Sequence, residues 1–171
     1  MIIKEEYKKN ISQLKTKNHN IQAFRMNIGE DILLFINIYM PTTGKEDDFE
    51  VIIKDIDNIL MDQPDDIIVI GGGDLNIRTD KNLRRNKLMR DLLNKHRLVL
   101  NVPKEHTHRS HRWQTESTLD YIFSSHHVTT EEIKVLNNTK FPNNLSSHYP
   151  VITKLKFQIL KKRESGKRQR K

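Results

Sequence analysis

The sequence predicts an α/β protein built of packed strand and helix layers. Three observations carry this reading. Two runs of apolar and β-branched residues flank Gly29-Glu30-Asp31, an amphipathic helical stripe follows Pro41, and a short apolar run ends in three glycines. Hairpin and helix signals alternate irregularly, which argues mixed layers and not a plain βαβ repeat. A length of 171 residues favours one domain. The expected boundaries are a lead-in segment over 1–20, the domain over 21–160, and a basic disordered tail over 161–171.

Within the lead-in, Tyr7, Ile11 and Leu14 stand at weak helical spacing. Ile21 to Asn27 and Ile32 to Met40 read as the two strands of a hairpin, because β-branched residues crowd both and Gly29 supplies the turn. The second run is almost continuously apolar, as expected of a strand buried on both faces. Pro41 ends it. Phe49, Ile52, Ile53, Ile56, Ile59 and Leu60 then recur at helical spacing until Pro64. Ile67 to Ile70 is a short buried strand running directly into Gly71-Gly72-Gly73-Asp74-Leu75-Asn76. Leu88, Met89, Leu92 and Leu93 mark a second helix. Shorter strands are expected at 97–101, 119–123 and 132–136, and an alternating strand from Val151 to Ile159 closes the domain.

The chain has no Cys, which excludes a disulfide scaffold and thiol catalysis. Charge follows Met1-Ile2-Ile3 at once, so no secretory signal is read. The longest apolar stretch, Ile32 to Met40, is interrupted by Asn37 and is too short to span a bilayer. The expectation is an intracellular protein without membrane contact. The net charge of +8 is unevenly placed: residues 161–171 contribute +6 of it and the other 160 residues only +2. Such a tail suits nucleic acid or nuclear import, and equally a solvated terminus. A second basic run, Lys81, Arg84, Arg85, Lys87 and Arg90, lies within the domain.

Chemistry should concentrate where chain leaves the buried strands. Asp74 and Asn76 lie just past a strand end, where ligand sites of α/β sheets form. An ordinary Asx turn accounts for the same residues, and no Gly-Lys-Ser/Thr follows to make a P-loop. Asn37-Ile38-Tyr39-Met40-Pro41 ends another strand, with Tyr39 read either as packing or as a donor to phosphate. Asp120 sits inside the apolar run Leu119-Asp120-Tyr121-Ile122, where a carboxylate needs a partner. His148 precedes the last strand, and a buried Asp with a distant His is a common way to orient an imidazole. His106, His108 and His111 have no Cys in their local run to complete a zinc site. They read as part of a polar segment in which Arg109, Arg112 and Trp113 offer backbone and stacking contacts to a substrate.

The order of these motifs resembles the endonuclease/exonuclease/phosphatase family. Asn-x-Tyr-x-Pro, Gly-Asp-x-Asn, Leu-Asp-Tyr-Ile and a form of Ser-Asp-His-x-Pro-Val stand at Asn37–Pro41, Gly73–Asn76, Leu119–Ile122 and Ser146–Val151. Their wording, with the basic helix and tail, looks closest to the reverse transcriptase-linked endonucleases of non-LTR retroelements. The resemblance implies a two-sheet, four-layer α/β sandwich of the DNase I-like kind. It also implies hydrolysis of DNA or other nucleic-acid phosphodiesters, with Mg²⁺ or Mn²⁺ bound at the phosphate.

Carried over, Asp74 would take a proton from the attacking water, or orient it, and would contact the metal. Asn76 would hold that water and a phosphate oxygen, and Tyr39 would donate to the phosphate. His148, oriented by Asp120, would stabilise charge on the non-bridging oxygens. Asn37, Arg84, Arg85, Arg109 and Trp113 complete the expected substrate contacts.

Two departures accompany the resemblance. The family's earlier segment, with a metal-binding Glu, has no counterpart, since Glu5 and Glu6 follow no buried strand; the expectation is a domain lacking its N-terminal portion, with apolar sheet surface left uncovered. Ser147 replaces the Asp of Ser-Asp-His, and a hydroxyl is a poorer magnesium ligand than a carboxylate, so metal binding should be weak. The alternatives to a nuclease are a catalytically inactive module that binds nucleic acid or protein, and a phosphatase acting on inositol or lipid phosphates.

Overall fold

In the computed structural model, the residues described are 4–79, 81, 83–110, 112, 114–137 and 146–157. A 3₁₀ turn at Glu5–Asn10 leads into β1 (Ile11–Leu14). The weak helical spacing of this segment therefore resolves as a turn and a strand. The turn buries nothing, whereas Ile11 and Leu14 pair with Met26 and Ala23 of the next strand. That strand, β2 (Ile21–Ile28), forms an antiparallel hairpin with β3 (Asp31–Tyr39) through Gly29, whose φ of 62° is easy only for glycine.

From β3 the chain crosses over through α1 (Glu46–Met61) to β4 (Ile68–Asp74), which lies parallel to β3. Glu46, Asp47 and Asp48 occupy the first turn of α1, where negative charge complements the helix dipole. The stripe Phe49, Ile52, Ile56 and Leu60 faces the sheet. Phe49 and Ile56 are fully buried, and each such side chain stabilises by roughly 1.5–3 kcal/mol. Next come α2 (Arg84–Lys95) and β5 (Leu98–Asn101). A short ribbon of β6 (His108–Arg109) and β7 (Glu116–Ser117) precedes β8 (Asp120–Ser125), which inserts antiparallel between β4 and β5. The resulting six-stranded sheet has the order β1-β2-β3-β4-β8-β5.

The remaining strands, β9 (Thr129–Val135) and β10 (Val151–Lys156), form a separate antiparallel pair. The final strand is described as far as Lys156, and Ile159 lies outside the described residues. The period-2 alternation of the sheet decides its two cores. Leu34, Ile36, Ile38 and Phe123 point to the helices, in a cluster with Phe49, Ile56 and Met89. Met26, Leu33 and Ile68 point the other way, and Leu155 and Phe157 pack there. Among the described residues, helices, large sheet and small sheet thus make three successive layers, an α/β fold with two facing sheets. No helix among the described residues is long and apolar enough to cross a membrane.

Candidate active site

Register brings the motif residues together. Asp74 is paired across β3 with Tyr39 and across β8 with Asp120, so the ends of three central strands present Tyr39, Asp74 and Asp120 side by side. The same alternation sets Asn37 and Gly72 on that face and turns Ile38 and Tyr121 into the helix-side core. The glycines make the close approach possible. Gly73 has φ of 138°, and a Cβ there would run into the Ile38 carbonyl oxygen. A Cβ on Gly71 would enter the Phe123 ring.

Beyond the strand end, Asn76 takes the left-handed conformation (φ 47°), which Asn tolerates better than most residues. Its N–H donates to Asp74 Oδ1 at 3.2 Å, and its Nδ2 donates to the Met40 carbonyl at 2.7 Å. The Asx turn is therefore real, and it coexists with a site: it fixes Asp74 and Asn76 relative to the end of β3. His148 completes the set. Its Nδ1 lies 2.9 Å from Asp120 Oδ2, and its Nε2 lies 4.0 Å from Asp74 Oδ2. The three side chains form a line along the sheet edge. Asp120 and His148 line a groove of about 770 Å³ together with Phe35, Ile70, Gly72, Pro150 and Val151, and Asp74 lies beside them.

The electrostatics of this line are unbalanced. Burial, and next the neighbouring Asp120 charge, push the Asp74 carboxyl from its ordinary 3.8 up to about 6. His148 and the two hydrogen bonds from Asn76 act in the opposite direction without cancelling it. Two carboxyls facing one imidazole leave a local demand for positive charge, in a place where a phosphate could also be met by donors. Perturbed acids in a cleft cluster at functional sites.

A family model described as endonuclease-reverse transcriptase matches residues 33–152. The chain belongs to the endonuclease/exonuclease/phosphatase family. Among solved structures, an endonuclease/exonuclease/phosphatase family protein from Leptotrichia buccalis superposes with a TM-score of 0.61 at 23% identity, over 80% of this chain and 54% of that one. The endonuclease domain of TRAS1, a telomere-specific non-LTR retrotransposon, gives a TM-score of 0.70 at 14% identity, over 87% of this chain and 69% of that one. D. rerio TDP2 complexed with single strand DNA product gives 0.60 at 11% identity, over 87% and 70%. These likenesses show a shared fold, and the chain spans little more than half the length of the Leptotrichia protein. No curated protein matches the sequence.

For this endonuclease/exonuclease/phosphatase domain, the structure gathers Asn37, Tyr39, Asp74, Asn76, Asp120 and His148 at one sheet end. Tyr39 is 53% exposed, so it serves no core. The basic residues divide. Arg84 is solvent-facing and pairs with Glu50 of α1. Arg85 differs from the expected substrate contact, being 3% exposed and turned inward. Its guanidinium pairs with Glu46 at 2.7 Å, donates to the carbonyls of Pro41, Thr42 and Asn76, and lies over the Phe49 ring. It ties the loop after β3 to the Asp74–Asn76 turn. Arg109 lies beside His148: its N–H donates to the Ser147 carbonyl at 2.8 Å and its side chain to Gln114. Trp113, His111 and the tail at 161–171 lie outside the described residues.

Two site neighbours carried no clear sequence signal. His108, read only as one of a histidine group, bridges to His148 with ring centroids 4.7 Å apart. Thr107, fully buried, contacts Asp120.

Asp120 is committed to His148 and Thr107, which leaves Asp74 as the other carboxylate of the site. Among the described residues, no group of three or more His, Asp or Glu side chains is placed to hold a metal. Magnesium commonly binds through one or two carboxylates together with substrate phosphates and water. The donor set suits an ion arriving with a phosphate better than an ion resident in the free protein.

Proposed function

We propose that this chain is a phosphodiester hydrolase acting on DNA in the manner of a retroelement endonuclease, with Mg²⁺ or Mn²⁺ recruited alongside the scissile phosphate. The observation that carries the proposal is the line Asp120–His148–Asp74, with spacings of 2.9 and 4.0 Å, beside Asn76. Nucleic acid is the favoured substrate class because the family match is to an endonuclease-reverse transcriptase model and the chain is basic, with a net charge of +8. A TRAS1 retrotransposon endonuclease and a TDP2 bound to a DNA product share the fold.

In this reading Asp74, ionised above about pH 6, takes the proton of the attacking water. Asn76 donates one N–H of its side-chain amide to the Met40 carbonyl, which fixes the amide, and its carbonyl oxygen would hold that water. His148 in its doubly protonated form would donate Nε2–H to a non-bridging oxygen, while Asp120 accepts from Nδ1–H at the opposite edge of the ring. Tyr39, exposed at the neighbouring strand end, donates to the phosphate. A bound divalent ion would add charge neutralisation at the phosphate.

One observation favours a second reading, a nucleic-acid-binding module without activity: among the described residues no three His, Asp or Glu side chains are grouped to hold a metal. Nicking of supercoiled plasmid with Mg²⁺ or Mn²⁺ separates the two. The hydrolase reading expects nicked circles from the wild type and a loss on the order of 100-fold or more in His148→Ala. Folded wild type that retards plasmid without nicking it would establish the binding module.

A further inference from the structure

We propose that Thr107 is the positioning residue of the Asp120–His148 pair, fixing through its hydroxyl which nitrogen of His148 carries the permanent proton. Thr107 is fully buried, and its Oγ1 makes three short contacts. It lies 3.0 Å from the backbone N of both Leu119 and Asp120, and 2.7 Å from Asp120 Oδ2. A hydroxyl has two acceptor lone pairs and one proton. The two N–H groups occupy both lone pairs, so the proton has one place to go, Oδ2 of Asp120.

That oxygen is thereby an acceptor. His148 Nδ1 lies 2.9 Å from the same Oδ2, so Nδ1 must be the donor. The neutral ring then carries its proton on Nδ1, the minor tautomer of free histidine, and leaves Nε2 as the nitrogen on the Asp74 side. A valine of the same shape would strip Asp120 of this donor and leave two N–H groups without their acceptor. The carboxylate could then rotate, and His148 would lose the reason to keep its proton on Nδ1.

The backbone around Thr107 acts in the same direction. The Thr107 carbonyl accepts from Tyr149 N at 2.7 Å, and Arg109 N donates to the Ser147 carbonyl at 2.8 Å. These bonds flank the isolated bridge between His108 and His148. The short segment Thr107–Arg109 therefore holds both partners of the pair, Asp120 by a side chain and the His148 segment by main chain.

The test is ¹⁵N–¹H correlation of the His148 ring in wild type, Thr107→Ser and Thr107→Val under conditions in which the ring is neutral, with the Thr107 hydroxyl proton followed in the wild type. Wild type and Thr107→Ser should show protonated Nδ1, and Thr107→Val a mixture rich in protonated Nε2. The wild-type hydroxyl proton should exchange slowly with water. A folded Thr107→Val that keeps the wild-type tautomer would overturn the proposal. If that variant does not fold, wild type decides alone: protonated Nε2, or a fast-exchanging Thr107 hydroxyl, would refute it.

The nicking rate gives a second readout that rests on the hydrolase reading. A fall of roughly 10–100-fold in kcat is expected for Thr107→Val, with KM unchanged and recovery in Thr107→Ser. If wild type does not nick, the ring spectra still decide the role of Thr107, so the two claims fail separately.

Discussion

Replacing Asp74 with Asn removes a carboxyl whose ionisation the fold opposes, and the cost of that opposition can be worked from the structure. Burial and Asp120 carry the group from its ordinary 3.8 to about 6. Because the folded value is raised, the native state binds the proton more tightly than the unfolded chain, so stability falls as pH rises through this window. The interval corresponds to about 3 kcal/mol once the group is ionised in both states. The side chain is 15% exposed, so solvent screening makes this a ceiling. Asn keeps the shape and can still accept the Asn76 N–H. Asp74→Asn should therefore be more stable than wild type at pH 8 by about 1–3 kcal/mol, with the gap shrinking by roughly two-thirds at pH 4.5. Urea unfolding of both proteins at the two pH values measures it. An Asn variant no more stable at pH 8, or a gap independent of pH, would refute the electrostatic account of this site.

Other outcomes follow from the same contacts. Arg85→Met should lower stability by about 3 kcal/mol in urea unfolding, whereas Arg84→Ala, at an exposed pair, should change it by less than about 1 kcal/mol; equal effects would contradict the inward placement of Arg85. Gly73→Ala forces a Cβ against the Ile38 carbonyl at a positive φ, and a loss of at least about 1–3 kcal/mol is expected in the same assay. Ser147→Asp adds a carboxylate next to His148, and Mg²⁺ titration followed by calorimetry or NMR should show tighter binding than wild type; unchanged affinity would mean that position 147 does not face the ion.

The layered fold was legible because its signals were local and strong. The stripe from Phe49 to Leu60 and the continuous run from Ile32 to Met40 each have one satisfactory burial. Residues 4–17 were not legible, because three spaced apolar residues among charges are compatible with helix or strand until β2 offers Ile11 and Leu14 an edge. The motifs of the candidate site were readable as polar groups at strand ends. Arg85 was not, since a basic run on a helix looks solvent-facing until Glu46 and three loop carbonyls converge on one member of it. Thr107 was hidden for a similar reason: its role depends on Leu119 and Asp120, twelve and thirteen residues away, coming within hydrogen-bond reach. Pairings of this range are set by sheet register and not by local pattern.

The pH dependence of plasmid nicking, in wild type and Asp74→Asn with Mg²⁺ or Mn²⁺, tests the central claim most directly. The account expects the wild-type rate to climb as pH passes about 6, where Asp74 ionises, and expects Asp74→Asn to lose activity across the range. Wild type that fails to nick between about pH 5 and 9, or Asp74→Asn that nicks at the wild-type rate, would contradict it.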